Sequence, residues 1–389
     1  MSWSGGLPRS ADAVVVGAGL VGASCAAHLA WAGLRVCVVD RGGVTAGTTA
    51  SGEGNILVSD KPPGPELALA LRSVEVWRQL AEESAVGFEY VRKGGVVAAR
   101  DGAQLAALRR FAGAQRQAGV EVEDLDADRL RVAEPRLAHG LAGGAYYPQD
   151  AQVQPMLATA AFLRSAGVSV VGGAEVLAAG TRPDGGLAGV VTGRGRVAAP
   201  VVVNAAGPWG GEVASRLGSR LPVRPRRGHV IVTEPLPPLV RHKVYEADYV
   251  DTVASDEEGL SCSAVVEGTE SGTVLIGSSR EFAGFDRTPS TRALGEVTRR
   301  AVALFPFLRD VRALRAYVGF RPASPDHLPV VGLDPEVGGL YHATGHEGAG
   351  IGLAAATGEL VAALVTGSRP AVDAASFDPA RFALAGAHG

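Results

Sequence analysis

The sequence predicts an α/β protein: a discontinuous Rossmann-like domain joined to a second domain with a largely antiparallel β-sheet and flanking helices. Three observations carry this. Ala13–Val16 is a β-branched run suited to a buried parallel strand, and it leads through Gly17-Ala18-Gly19-Leu20-Val21-Gly22 into a small-residue helix over 23–31. A second apolar strand, 35–39, ends on Asp40 and closes a β-α-β unit. Farther along, 228–233, 263–267 and 272–277 alternate with polar breaks, as strands of an antiparallel sheet do.

Each glycine of the first run has a physical role. Gly17 permits a tight turn, Gly19 lets the backbone approach a pyrophosphate, and Gly22 lets the helix pack on the strand. Phosphates then meet the free N–H groups and positive dipole end of the helix. Asp40 stands at the spacing of an acid that hydrogen-bonds a ribose hydroxyl and disfavours a 2′-phosphate. Alone, this unit reads the ADP half of a dinucleotide and suits NAD nearly as well as FAD.

Three later regions carry chemistry. In Gly47-Thr48-Thr49-Ala50-Ser51-Gly52-Glu53-Gly54-Asn55, hydroxyls and amides suit a pyrophosphate grip, the alternative being a flexible loop. Strand 201–204 ends in Ala205-Ala206-Gly207-Pro208, small residues that leave room above a sheet, with Pro208 placed to start a helix. Around Gly319-Phe320-Arg321-Pro322, strand alternation puts Arg315, Tyr317, Gly319 and Arg321 on one face and Leu314, Ala316, Val318 and Phe320 on the other, one face being core. Pro322 keeps Arg321 extended, so its guanidinium either clamps a carboxylate or is solvated. The run Gly345-His346-Glu347-Gly348-Ala349-Gly350-Ile351-Gly352 feeds a final helix over 350–365, whose amino end favours negative charge. His346 is otherwise a structural histidine.

The remaining chain predicts a strand pair over 88–99, helices over 66–83, 105–118 and 155–165, a strand over 168–171, and a frayed arm over 1–10. Arg224, Arg226 and Arg227 are expected on the solvated surface. With 389 residues, 47% hydrophobic and 20% charged, the chain holds two or three core-bearing units. A net charge of −3, spread along the length, provides no field for nucleic acid or an anionic membrane. Cys25, Cys37 and Cys262 lack metal spacing, so reduced thiols and no metal are expected. No uninterrupted apolar run reaches the roughly 18 residues of a membrane span, and no signal stretch is seen, so a cytoplasmic protein is expected.

Taken in order, these regions resemble the D-amino-acid-oxidase superfamily of flavoproteins, most closely its glycine oxidase, sarcosine oxidase and D-hydroxyproline dehydrogenase branch. The resemblance spans nearly the whole chain and is most specific over 17–40, Gly319-Phe320-Arg321-Pro322, Pro329-Val330-Val331-Gly332 and Gly345-His346. It implies FAD, held noncovalently because no cysteine suits covalent attachment, in a domain of residues 10–85, 146–221 and 322–389. Residues 86–145 and 222–321 then form the substrate domain.

The same resemblance places Leu20 and Val21 at the pyrophosphate, Asp40 and Arg41 at the adenosine, and Thr48 and Thr49 at the phosphates. Val176 pairs with adenine through its backbone, and Ala206 and Gly207 border the cofactor. Glu53, Gly54 and Asn55, with 346–352, meet the flavin ring. Arg321 takes the substrate carboxylate. Tyr249, expected on a strand with Tyr245 and Ala247, is a substrate contact or a packing aromatic. The implied reaction is oxidation of the Cα–N bond of a glycine-type, N-substituted glycine or D-amino or imino acid, by hydride transfer to flavin, giving an imine that hydrolyses. Homo-oligomers or small redox partner subunits are compatible with it. Two departures stand out: Glu53 replaces a small residue, and no lysine matches the one that promotes oxygen reduction in sarcosine oxidases. An NAD-dependent dehydrogenase and a noncatalytic FAD-binding subunit are the rival readings.

Overall fold

The computed structural model describes residues 6–83, 87–182, 186–249 and 259–383, and among them the strands form four sheets. Six strands make the first: β1 (Ala13–Val16), β2 (Val36–Val39), β8 (Ser169–Val171), β12 (Val201–Asn204), β18 (Val330–Leu333) and β19 (Leu340–Thr344). Their order is β18-β19-β12-β1-β2-β8, parallel throughout except for β18 at the edge. From central β1 the chain passes to β2 on one side, while β12 flanks the other. That reversal opens a crevice at the strands' carboxyl ends, where doubly wound sheets bind ligands.

Period-2 alternation explains why this sheet is buried on both faces. Ala13, Val15 and Val38 pack against the helices Leu20–Trp31, Pro65–Glu83, Pro155–Ser165 and Gly350–Thr366. Val14, Val16, Cys37 and Val39 pack on the opposite side, against the meander β9 (Val176–Thr181), β10 (Leu187–Thr192) and β11 (Gly195–Ala198). Near-continuous Val runs are what such two-sided burial requires. Glu347–Thr366 is long and apolar enough to cross a membrane, yet it is mostly buried, packed as a core helix against the first helix.

The second large sheet holds β4 (Gly95–Ala99), β5 (Glu123–Asp126), β6 (Gly143–Tyr147), β13 (Arg224–Thr233), β14 (Lys243–Glu246), β15 (Ser261–Gly268), β16 (Val274–Arg280) and β17 (Ala313–Ala323). Its order is β17-β13-β16-β15-β14-β4-β6-β5, antiparallel apart from the β14–β4 pair. The fourth sheet is the short pair β3 (Asn55–Ile56) and β7 (Ala151–Gln152). β6 and β17 each run two residues past the domain boundaries expected from sequence.

Several expectations are corrected. Arg226 and Arg227 are buried, because β13 is an interior strand between β17 and β16; only Arg224 is exposed. The segment 88–99 forms one strand, β4, preceded by an isolated bridge between Val91 and Gln152, and not a strand pair. Leu314 and Ala316 are exposed, since the first half of β17 is a solvent-facing sheet edge on both sides. The arm does not fray at its end: the Arg9 carbonyl accepts from Ala198 N and Ala11 N donates to the Ala198 carbonyl, a bridge centred on Ser10, while residues 1–5 lie outside the described residues. The helix Thr291–Leu304, capped by Ser290, was not foreseen and covers one face of the second sheet through Val297, Ala301 and Leu304.

Candidate active site

A cavity of about 310 Å³ runs from the carboxyl ends of β1 and β2 to the inner face of β13 and β17. At one end its wall is backbone. Gly17 adopts φ +113°, and a Cβ there would stand 2.5 Å from the Ala205 carbonyl. A Cβ on Gly22 would collide with the Gly17 carbonyl, so the helix can approach β1 only through glycine. The helix Leu20–Trp31 has no acidic side chain in its first turn, and its Leu20 N–H is capped from a distance by Thr49 Oγ1 at 3.0 Å. Its next amides have no intrahelical acceptor and suit a phosphate.

Asp40 is held by two turns, accepting from Ala18 N of the glycine turn after β1 at 2.8 Å and from Gly42 N of its own turn at 2.7 Å. The Arg41 guanidinium lies 4.1 Å from the centre of the Trp209 ring, which stacks on Phe285. The Val176 carbonyl accepts from Arg216 Nη1 at 2.8 Å. Thr48 Oγ1 donates to the Phe320 carbonyl at 2.6 Å, tying this loop to β17.

At the other end Arg321 and Glu347 stand on the wall, with Arg226 and Arg280 buried behind it. Arg226 on β13 and Arg321 on β17 are direct cross-strand partners, an arrangement of like charges that needs a counter-ion. Glu347 supplies it, 3.2 Å from Arg226 Nη1 and 3.6 Å from Arg280 Nε. Burial alone would raise the Glu347 carboxyl, but the charges of Arg280, Arg321 and Arg226 hold it below its ordinary value. Arg321 donates through Nη1 to the Ser279 carbonyl at 2.8 Å, and its guanidinium occupies the space left by Gly228. Burial, and next the Arg280 charge, hold Arg321 below the ordinary arginine value.

Tyr249 lines the cavity, though not from a strand: β14 ends at Glu246, and a turn carries the chain to it. Its hydroxyl is 3.2 Å from Arg280 Nη2, and the guanidinium lies over its ring. His346 is buried with Nε2 3.0 Å from Thr357 Oγ1, and burial pushes its pKa down to about 4, leaving the ring neutral at pH 7.

Most sequence-selected residues meet here: Gly17, Gly19, Leu20, Val21, Asp40, Arg41, Thr48, Thr49, Glu53, Asn55, Val176, Ala206, Gly207, Tyr249, Arg321, His346, Glu347, Gly348, Gly350 and Ile351. Four are not on the cavity wall. Gly22, Gly54 and Gly352 sit at close backbone approaches, to Gly17, Val153 and Asn55 respectively. Ala349 N donates to the His346 carbonyl. Sequence reasoning missed Arg226, Arg280 and Lys243. The alternation of β13 offered a signal for Arg226, which shares the face of Gly228 and Val230; no local pattern marked the others.

The open helix end at the sheet's crossover, the glycine approaches and the free amides fit the pyrophosphate and adenosine of FAD. Together with a buried arginine wall beyond them, they define a dinucleotide-dependent oxidoreductase. The chain belongs to the DAO family of FAD dependent oxidoreductases, whose sequence model matches residues 12–364. It is 32% identical to a glycine oxidase of Pseudomonas aeruginosa, covering 94% of this chain and 98% of the relative. It is 29% identical to the hydrogen cyanide synthase subunit HcnC of the same organism, over 96% and 97% of the two chains. The crystal structure of glycine oxidase from Geobacillus kaustophilus superposes with a TM-score of 0.84 at 29% identity, covering 95% of this chain and 98% of that one.

Proposed function

We propose that the chain oxidises the Cα–N bond of a small amino or imino acid: glycine, an N-substituted glycine, or a D-amino acid. The carrying observation is the arginine wall. Arg321 stands on the cavity wall with the buried Arg280 and Arg226 behind it, and a guanidinium pinned there by the Ser279 carbonyl is a place for a substrate carboxylate. The glycine oxidases among the relatives support the substrate class.

In this reading FAD is held noncovalently by residues 10–85, 146–221 and 322–389, and residues 86–145 and 222–321 shape the substrate pocket. Leu20, Val21 and Thr49 would hold the pyrophosphate, Asp40, Arg41 and Val176 the adenosine, and the loops 53–55 and 346–352 the ring. When bound, FAD supplies the two-electron acceptor for the hydride leaving Cα. The protein's own work is orientation. Arg321, pinned by the Ser279 carbonyl, binds the substrate carboxylate and fixes which way Cα–H points. Tyr249, fixed by Arg280, closes the wall beside it. Water then hydrolyses the product imine.

The test is anaerobic bleaching of the flavin by a panel of glycine, N-methylglycine, D-alanine and D-proline. At least one compound is expected to bleach it, and Arg321→Met is expected to slow that step roughly a hundredfold while retaining FAD. Reduction of Arg321→Met at the wild-type rate would remove the carboxylate role.

A further inference from the structure

On the cavity wall, Glu53 and Asn55 carry two hydrogen-bond acceptors that have no donor among the described residues. The Asn55 amide donates through Nδ2 to Glu53 Oε2 at 3.1 Å. A carboxylate can only accept, so this bond fixes the amide's orientation and leaves Asn55 Oδ1 as an acceptor. Asn55 Oδ1 and Glu53 Oε1 are both cut off from solvent and accept no hydrogen bond. The Glu53 side chain is 8% exposed, and its nearby cation Lys243 stands 3.7 Å from Oε1, beyond hydrogen-bond reach. Lys243 gives its short contact, 2.6 Å, to Glu267 on the neighbouring strand instead. Buried acceptors without donors cost stability, and a ligand that brings N–H groups recovers it.

The sheet beneath shows where that ligand lies relative to Arg321. The Glu53 carboxylate sits over Gly277 of β16, where a Cβ would be 2.8 Å from Oε1. The Arg321 guanidinium sits over Gly228 of β13, the strand next to β16. A guanidinium and a carboxylate therefore stand over neighbouring strands of one sheet, each filling the place of a missing side chain. Neighbouring strands lie about 4.8 Å apart, so the two groups bracket a space on the scale of an amino-acid backbone with a hydrogen bond at each end.

We propose that Glu53 and Asn55 receive the amino nitrogen of the substrate whose carboxylate Arg321 holds. This rests on the amino-acid oxidation reading and narrows it to substrates that enter with a protonated primary or secondary amine. One N–H proton of the ammonium passes to Glu53 Oε1. The nitrogen lone pair so freed forms the C=N bond as the Cα hydride leaves to oxidised FAD, and the product is the iminium. Among the described residues, the charged and titratable groups around Glu53 are Lys243 and Glu267 from β14 and β15, Tyr317 and Arg321 from β17, and Tyr249.

The holoprotein's visible flavin absorbance reports binding of glycine against acetate, N-methylglycine against methoxyacetate, and D-proline against tetrahydrofuran-2-carboxylate. Wild type is expected to prefer at least one amine over its amine-free counterpart by about tenfold to a hundredfold. Glu53→Gln loses that preference and Glu53→Asp recovers part of it. For the amine that bleaches wild type, the Glu53→Gln rate should rise about tenfold per pH unit below the amine's own pKa, while wild type changes less steeply. The proposal is overturned if no pair shows an amine preference in wild type, or if Glu53→Gln keeps both preference and pH profile. It is also overturned if Glu53→Gln alters the flavin spectrum without ligand while the preference survives, which would assign these acceptors to the ring. An amine preference that depends on Glu53 with no bleaching by any amine would uphold this site and remove the oxidation reading.

Discussion

The dinucleotide end of the cavity is built from backbone, and the substrate end from side chains. Gly17, Gly19 and Gly22 fall within six residues, and what they contribute is the absence of a Cβ. Arg226, Arg280, Arg321 and Glu347 come from three strands and a loop up to 121 residues apart, and what they contribute is charge. Local spacing specifies the first arrangement. Only the sheet order specifies the second, because a strand's charged face is buried or solvated according to its neighbours.

The comparison breaks most visibly if backbone approach is not what the glycine end depends on. Gly22→Ala puts a methyl group into the Gly17 carbonyl, with no flexible side chain to yield. We expect a loss of about 4 kcal/mol or more and protein purified without flavin. The flavin-to-protein absorbance ratio checks it, and a yellow, normally stable variant would show that the helix can move away.

At the charged end, Glu347→Gln leaves Arg226 and Arg280 without their shared carboxylate. Breaking a buried pair costs about 3–5 kcal/mol, read from the denaturant midpoint of the holoprotein. The same change should tighten binding of simple carboxylates such as acetate, since Arg321 loses a competing anion. Looser acetate binding would place the substrate carboxylate elsewhere.

This contrast also accounts for what was legible in the sequence. Gly17 to Asp40 was readable because turn, helix and acid follow at fixed spacing, and Arg321 because Pro322 keeps it extended, although β17 continues through Pro322 to Ala323 and Arg321 is not at the strand end. Arg226 and Arg227 were expected in solvent: alternation puts Arg226 on the face of Gly228 and Val230, but it does not reveal that β17 and β16, from distant parts of the chain, flank β13 and bury both arginines. Tyr249 was placed on a strand because its alternation with Tyr245 and Ala247 continues through the turn at 247–248. The helix Thr291–Leu304 had a readable signal: Ser290 as cap, then Ala293, Val297, Ala301 and Leu304 at helical spacing.

His346 sits where the two ends meet, and pH tests its burial. Its folded-state pKa of about 4 lies below the ordinary 6.5, so the folded protein binds fewer protons than the unfolded chain between those values. The contribution is full above pH 6.5 and is lost as pH falls toward 4, amounting to up to about 3 kcal/mol. Asp150, buried and raised to about 7, titrates in the opposite sense, so the informative quantity is the difference between wild type and His346→Gln. That difference should change across pH 4–6.5 and stay flat above it in urea unfolding. A flat difference throughout would mean that His346 is solvated when protonated.

The smallest and sharpest test uses two adjacent hydroxyls that face opposite ends. Thr49 Oγ1 caps the helix Leu20–Trp31 at Leu20 N, whereas Thr48 Oγ1 donates to the Phe320 carbonyl one residue before Arg321. Thr49→Val removes an acceptor from a helix amino terminus, a loss of about 1 kcal/mol, and should weaken FAD binding about fivefold with little change in substrate affinity. Thr48→Val frees the carbonyl that holds β17 against the loop, and should weaken substrate binding by a similar factor while FAD affinity stays near wild type. Titrating both variants with FAD and then with substrate gives a two-by-two result. If each variant weakens both ligands equally, the loop 47–55 transmits one rigid displacement to the whole cavity, and the division into a backbone end and a side-chain end fails there.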